Sequence, residues 1–231
     1  MPTSQTLSRG IRVLEIVASS PIPLSIAEIA QKLEVHRSIA YRIIRTLEQH
    51  HLLNRDDAGH IRSASGLAVL ARSVQHDLQA VSTSELTALA NELSMTTFVA
   101  VWEYDLCTTL QSVAPLNSQR AIVHRPGTVH GMDVGAAGIA IQSQYTPEEW
   151  SALDSSVNYR EAAIQARLDG FATSENEVIQ GVMSIAVPII RPGQTPAALA
   201  VVFASSTVES YTPIIEELKF AAQRISDKLM A

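Results

Sequence analysis

The chain has a single cysteine, Cys107, so it can form no intrachain disulfide and no cysteine-based metal site. It has no apolar run of about eighteen residues, so no membrane-spanning helix is expected. The opening segment MPTSQTLSRG lacks the apolar core of a secretion signal, which places the protein in the cytoplasm as an expectation. No GxSxG, P-loop or HExxH pattern is present, so a catalytic function is not expected; a small hydrolase is the enzyme alternative. No internal repeat is detectable. One further absence is local. From His36 to Thr46 there is no acidic residue, although the whole chain carries a net charge of −6.

That acid-free window lies in Ser25–Leu47, SIAEIAQKLEVHRSIAYRIIRTL. Ile26, Ile29, Ala30 and Leu33 follow the spacing of a helix with one buried face. Ser25 with Glu28 three residues later has the pattern of a reciprocal capping box. Ala40, Ile43, Ile44 and Leu47 give a second apolar stripe. The opposite face of that second helix carries Arg37, Ser38, Tyr41, Arg42, Arg45 and Thr46. Such a face can meet phosphates and base edges, and the spacing suits a helix-turn-helix. The alternative is a solvated helix pair in an all-α domain.

At 231 residues two domains are expected. Residues 1–63 hold eight Lys/Arg against six Asp/Glu, a balance of +2, whereas residues 64–231 balance at −8. A slightly basic head on an acidic body fits a small nucleic-acid module joined to a domain that repels DNA. Leu7, Ile11, Leu14 and Val17 predict a first helix, which the prolines of SSPIPLS end. HHLLNRDDAGHIRS (50–63) reads as strand, turn, strand, a wing with Arg55 and Arg62 beside its tip. Three helices and a wing make a winged helix-turn-helix. DNA contacts are expected from Ser25, Arg37, Ser38, Tyr41, Arg42, Arg45, Thr46, Arg55 and Arg62. Arg37, Ser38, Tyr41 and Arg42 are placed for base edges, and the others for the backbone. Two copies would read a pseudo-palindrome in double-stranded DNA.

Ser65 to about Val81 is rich in Leu and Ala without a breaker and predicts a linker helix, followed by a second helix around Leu86–Leu93. The remainder alternates. Strands are expected over 96–105, 107–115, 121–125, 181–190 and 196–204. Helices are expected over the small-residue stretch after Gly135, from Thr146-Pro147, over about 159–169, and from Thr212-Pro213 onward. This is an α+β domain with a central antiparallel sheet and helices on one side.

SRGIRVLEIV, PLSIAEIAQKLEVHRSIAYRIIRTLEQHHLL and GFATSENEVIQGVMSIAVPI together resemble the IclR family of bacterial transcriptional regulators, over about residues 7–229. The resemblance implies a winged helix-turn-helix over 1–63, a linker helix over 64–81, and a GAF-like effector-binding and oligomerisation domain over 82–231. It implies dimers or tetramers that bind operator DNA and respond to a small organic acid, with no cofactor. The family's small-residue helix start falls on Asp133–Ala140, where Ala136 and Ala137 match positions whose backbone amides face an acid ligand. Ile139 stands where Lys is usual and Asp133 where His is usual. The family also usually has Gly at the positions of Glu34 and His51.

The candidate effector residues carried over are Met132, Ala136, Ala137, Ser174, Ser184, Val201 and Phe203. In relatives that bind small carboxylates, two serines point inward from the last strand. Here Val201 and Phe203 match them, or Ala200 and Val202 after a shift of one. Either way the hydroxyls are gone, which favours a larger, more apolar ligand such as an aromatic acid or another ring compound. A regulator of this fold without an effector is the alternative. His124, His130 and Asp133, with Glu103 and Cys107 upstream, have no tight metal-ligand spacing, and no metal is expected. Effector binding is expected to act on the DNA heads through the linker helix.

Overall fold

The computed structural model describes residues 4–116, 121–153, 156–208 and 210–230. The chain divides into two compact units, Met1–Val74 and Gln75–Ala231.

The first unit opens with α1 (Gln5–Ala18), whose N-terminus is capped by Ser4 and whose buried face carries Val13 and Val17. Leu24 then bridges to Ile61. In α2 (Ile26–Lys32) the Ser25 amide donates to Glu28 Oε2 at 2.7 Å, and Ser25 Oγ accepts from the Glu28 amide at 3.3 Å. This closes the capping box and satisfies two otherwise open amides. The turn to α3 (Arg37–Gln49) runs through Glu34 in the left-handed region, with φ 56°. α3 is capped by His36, whose Nδ1 accepts from the Ser38 amide. His51, just past its end, is also left-handed, with φ 59°. The wing pairs β1 (Leu53–Arg55) with β2 (Ile61–Ser63) in antiparallel register. Asp56 shapes its tip by accepting from the amides of Ala58 and His60. Val13, Ile29, Ala40, Ile44, Leu53 and Ile61 form the core that holds these pieces together. Each buried Val, Leu or Ile among them contributes roughly 1.5–3 kcal/mol.

The linker helix expected over 65–81 is two helices. α4 (Gly66–Ala71) buries no residue. α5 (His76–Leu93) runs unbroken through the stretch read as a separate helix and buries Leu78, Leu86 and Leu89. The break falls at Gln75, in the left-handed region with φ 47°. Its side-chain oxygen accepts from Arg191 Nη2 at 2.8 Å and its Nε2 donates to Thr195 Oγ1 at 3.2 Å. Propensity alone favours one continuous helix; these long-range contacts hold the chain in a conformation that ends it.

The second unit is built on a six-stranded sheet in the order β5-β4-β3-β8-β7-β6, antiparallel throughout. The strands are β3 (Thr96–Glu103), β4 (Leu106–Val113), β5 (Val129–Gly131), β6 (Ala172–Glu175), β7 (Val182–Ile189) and β8 (Ala197–Ala204). The helices are α6 (Gly135–Gln142), α7 (Pro147–Ala152), α8 (Glu161–Asp169) and α9 (Thr212–Met230). They cover both faces of the sheet, not one. Leu199, Val201 and Phe203 of β8 pack with α5 and α9. Ala198, Ala200 and Val202 pack with α6, α7 and α8. β8 is apolar at every position, so both its faces need cover. On the α6 side the sheet offers small residues, and the helix matches them. A Cβ at Gly138 would lie 2.4 Å from the Met132 carbonyl oxygen, so only glycine permits this approach.

The segment AIVHR (121–125) is not a strand. The free edge of β4 is taken instead by 127–131: ahead of β5 the Gly127 amide donates to the Thr109 carbonyl and the Thr109 amide to the Thr128 carbonyl. The 121–125 segment is tied by other bonds. Thr96 Oγ1 donates to the Ile122 carbonyl, and His124 Nε2 lies 2.8 Å from Thr109 Oγ1.

Candidate functional site

α3 presents Arg37, Ser38, Tyr41, Arg42, Arg45 and Thr46 to solvent, all on exposed positions. Burying Ala40, Ile43 and Ile44 leaves those side chains outward by helical geometry alone. Among the described residues, Arg37, Arg42 and Arg45 take part in no ion pair. Ser38 Oγ lies 2.8 Å from His36 Nδ1, which orders the first turn of the helix. Thr46 Oγ1 donates back to the Arg42 carbonyl at 3.1 Å. Arg62 Nε donates to Asn54 Oδ1, across the wing. Ser25 is half-buried in its capping box. Arg55 is engaged: its guanidinium binds both oxygens of Glu48 and lies over the Tyr41 ring. Glu48 is the residue the sequence reading passed over, since it lies just beyond the acid-free window.

In the second unit, sheet register gathers part of the expected effector set. Ser174 lies opposite Ser184, and Ser184 opposite Val202, in one row across β6, β7 and β8. These three, with Ala136 and Ala137 of α6, line a cavity of about 40 Å³ between helix and sheet. Phe98, Ile122, His124, His130, Glu177 and Val178 are also in its wall. Val201 and Phe203 are on the opposite face and pack among α5 and α9, so the alternative register is the one realised and Val202 faces the cavity. Met132 is fully buried beside α6 and is not part of the cavity wall.

The start of α6 is already occupied. The Gly135 amide donates to Glu177 Oε2 at 2.8 Å, and the Ala136 amide donates to Ser174 Oγ at 2.9 Å. Gly135 itself has φ 80°, a conformation that suits glycine. Arg160 Nη1 donates to Glu177 Oε2 at 2.7 Å and Nη2 to Oε1 at 3.2 Å. Arg160 Nη1 also donates to the Asp133 carbonyl at 3.0 Å. Burial raises the Glu177 pKa, but the bonds from Arg160 and the Gly135 amide outweigh it and hold the carboxyl below its ordinary value. The sequence reading missed Glu177 and Arg160. Glu177 and Gly135 are 42 residues apart, and no spacing rule connects them.

His124 lies against the Phe98 ring, with centroids 4.2 Å apart. Burial, aided by His130, pushes its pKa down to about 4, so the ring is neutral near pH 7. His130 Nδ1 lies 2.9 Å from the Gly131 carbonyl oxygen, which can only accept. Nδ1 therefore carries a proton. Cys107 is fully buried in the core, and its thiol is pushed up to about 12 by burial. Among the described residues no three His, Cys, Asp or Glu side chains are grouped to hold a metal ion. No described helix is long and apolar enough to cross a membrane.

Residues 6–57 match the IclR helix-turn-helix domain. The chain is 26% identical over 226 residues to the transcriptional regulator TtgV of Pseudomonas putida, covering 92% of this chain and 86% of that protein. It also has the fold of an IclR regulator from Alicyclobacillus acidocaldarius, with TM-score 0.81, 20% identity, and 99% and 100% of the two chains covered. An IclR homologue from Microbacterium hydrocarbonoxydans, solved in complex with 4-hydroxybenzoate, aligns with TM-score 0.81 and 21% identity over 98% of this chain and 99% of that one. Residues 6–57 are thus an IclR helix-turn-helix domain, and along its length the chain is similar to transcriptional regulators of the IclR family.

Proposed function

We propose that the protein binds a pseudo-palindromic DNA operator as a homo-oligomer, in the cytoplasm, and that a small organic effector in the α6 cavity alters that binding. The observation that carries the DNA half is the exposed, acid-free face of α3, with Arg37, Arg42 and Arg45 free of ion pairs among the described residues. Phosphate binding by such a face is salt-dependent, and a bidentate Arg–guanine contact adds about 1–3 kcal/mol of base discrimination. The test is fluorescence anisotropy with the promoter fragment beside the gene. Arg42→Ala should abolish operator binding with no loss of melting temperature. Unchanged affinity would sink this placement of α3.

For the effector half, apolar walls with a few polar groups suit an aromatic acid or another ring compound. The 4-hydroxybenzoate complex of a relative with this fold supports a ring-sized ligand. The effector-free regulator is the second reading, and the small volume favours it: about 40 Å³ is room for a water, whereas benzene takes a cavity of about 150 Å³. Ligand entry therefore requires the cavity to widen. A thermal-shift panel of aromatic compounds separates the two, since a regulator without an effector is stabilised by none of them.

A further inference from the structure

We propose that Glu177 is a built-in carboxylate that sets the charge preference of the α6 cavity, so that its ligand is an uncharged ring compound bearing a hydroxyl donor, of the phenol class, and not an acid. The inference rests on the effector reading above and narrows it.

A ligand carboxylate needs hydrogen-bond donors or a cation to offset its desolvation. The amides of Gly135 and Ala136 at the start of α6 already donate to Glu177 and Ser174. Arg160 is neutralised, because its guanidinium forks onto both oxygens of the same Glu177. No Lys or Arg is among the residues that line the cavity. His124 is neutral, and the Nδ1 proton of His130 is spent on the Gly131 carbonyl. Ser184 Oγ donates to the Val201 carbonyl. An entering anion would thus meet a fixed negative charge and would have to displace a group tethered at high effective concentration.

The same groups suit a donor. The Glu177 carboxylate is an acceptor on the wall, and a bond from a hydroxyl to an ionised carboxylate is of the stronger kind. Phe98, Ile122, Val178 and Val202 are there to meet the ring. The 176–181 connection between β6 and β7, which has no helix or strand, brings Val178 and Ile179 to the same wall as Glu177.

The experiment is calorimetry and thermal shift on the full chain with phenol, anisole and benzoate, on the wild type and on Glu177→Gln. The glutamine keeps an oxygen for the Gly135 amide and removes the charge. In the wild type, phenol should bind at least tenfold tighter than benzoate and tighter than anisole, which has the ring without the donor. In Glu177→Gln, benzoate should gain at least tenfold and phenol should weaken. Glu177→Asp, which keeps the charge, should retain the wild-type order. Benzoate binding the wild type as tightly as phenol, or unaffected by Glu177→Gln, overturns the inference while leaving the effector site standing. Binding of none of the three to either protein overturns the effector reading and the inference with it. If Glu177→Gln does not fold, the wild-type order alone decides.

Discussion

Arg55 on the wing lays its guanidinium along both carboxylate oxygens of Glu48 near the end of α3, with Nε–Oε1 at 2.7 Å and Nη2–Oε2 at 3.1 Å. Both side chains are partly exposed, so the pair adds only about 0–1 kcal/mol to stability. On the proposed DNA-binding role its larger effect is on DNA, because it masks one of the two wing arginines and puts a carboxylate near the C-terminal end of α3. Glu48→Gln should strengthen operator binding several-fold at low salt. It should also steepen the dependence of log K on log salt by about 0.9, the increment for one added phosphate contact. Arg55→Ala should cost far less affinity than Arg42→Ala. Anisotropy titrations between about 50 and 200 mM salt read both effects. An unchanged slope in Glu48→Gln would mean that Arg55 reaches phosphate despite its partner.

The turns flanking α3 hold non-glycine residues in the left-handed region, Glu34 at φ 56° and His51 at φ 59°. For an L-residue that conformation costs roughly 1–2 kcal/mol, and glycine avoids most of it while losing more chain entropy on folding. Glu34→Gly should therefore stabilise the first unit by about 1 kcal/mol, measured by circular dichroism during thermal unfolding. A lower midpoint would show that Glu34 makes compensating contacts in the turn.

His124 has a pH signature. Its folded pKa is pushed down to about 4 from an ordinary 6.5, first by burial and then by His130. Between those values the unfolded chain takes up a proton that the folded chain refuses. Stability should fall as pH drops from about 6.5 toward 4 and then level off for this group. His124→Gln should remove that part of the slope in urea unfolding across the same range. An unaltered slope would assign the proton uptake to another group.

Glu85 of α5 is tied to α9, with Oε2 accepting from Arg224 at 2.8 Å and Oε1 from Lys228 at 2.9 Å. Burial raises its pKa, but the bonds from Arg224 and Lys228 outweigh that and hold the carboxyl below its ordinary 4.5. Its contribution is therefore present above pH 4.5 and lost as pH falls through the lower folded value. Glu85→Gln should lower stability at pH 7 by about 1–2 kcal/mol, less than a fully buried pair because both partners are half-exposed. It should also flatten the acid limb below pH 4.5. Equal acid limbs in the two proteins would rule out this ion-pair cluster as the source.

The features legible in the residues alone were the local ones. Helix stripes, the capping box at Ser25/Glu28, the wing tip and the open face of α3 all depend on partners a few positions apart. Spacing in the sequence is then spacing in space. The fold class and the position of the helix-turn-helix followed from those signals and from the family resemblance. Register did not. A strand has period two, so a slip of one residue exchanges its faces. β8 is apolar at every position and offers no pattern to choose between Val201 with Phe203 and Ala200 with Val202. The neighbouring strands chose, by setting Ser184 against Val202. The break at Gln75, the masking of Arg55 by Glu48 and the seating of Glu177 on the Gly135 amide are likewise contacts that only chain folding brings about. The sequence by itself determined the helix-turn-helix and the exposed, acid-free face of α3, because both rest on partners a few positions apart. Tertiary structure decided which side chains line the α6 cavity, because that wall is assembled from segments far apart in the chain.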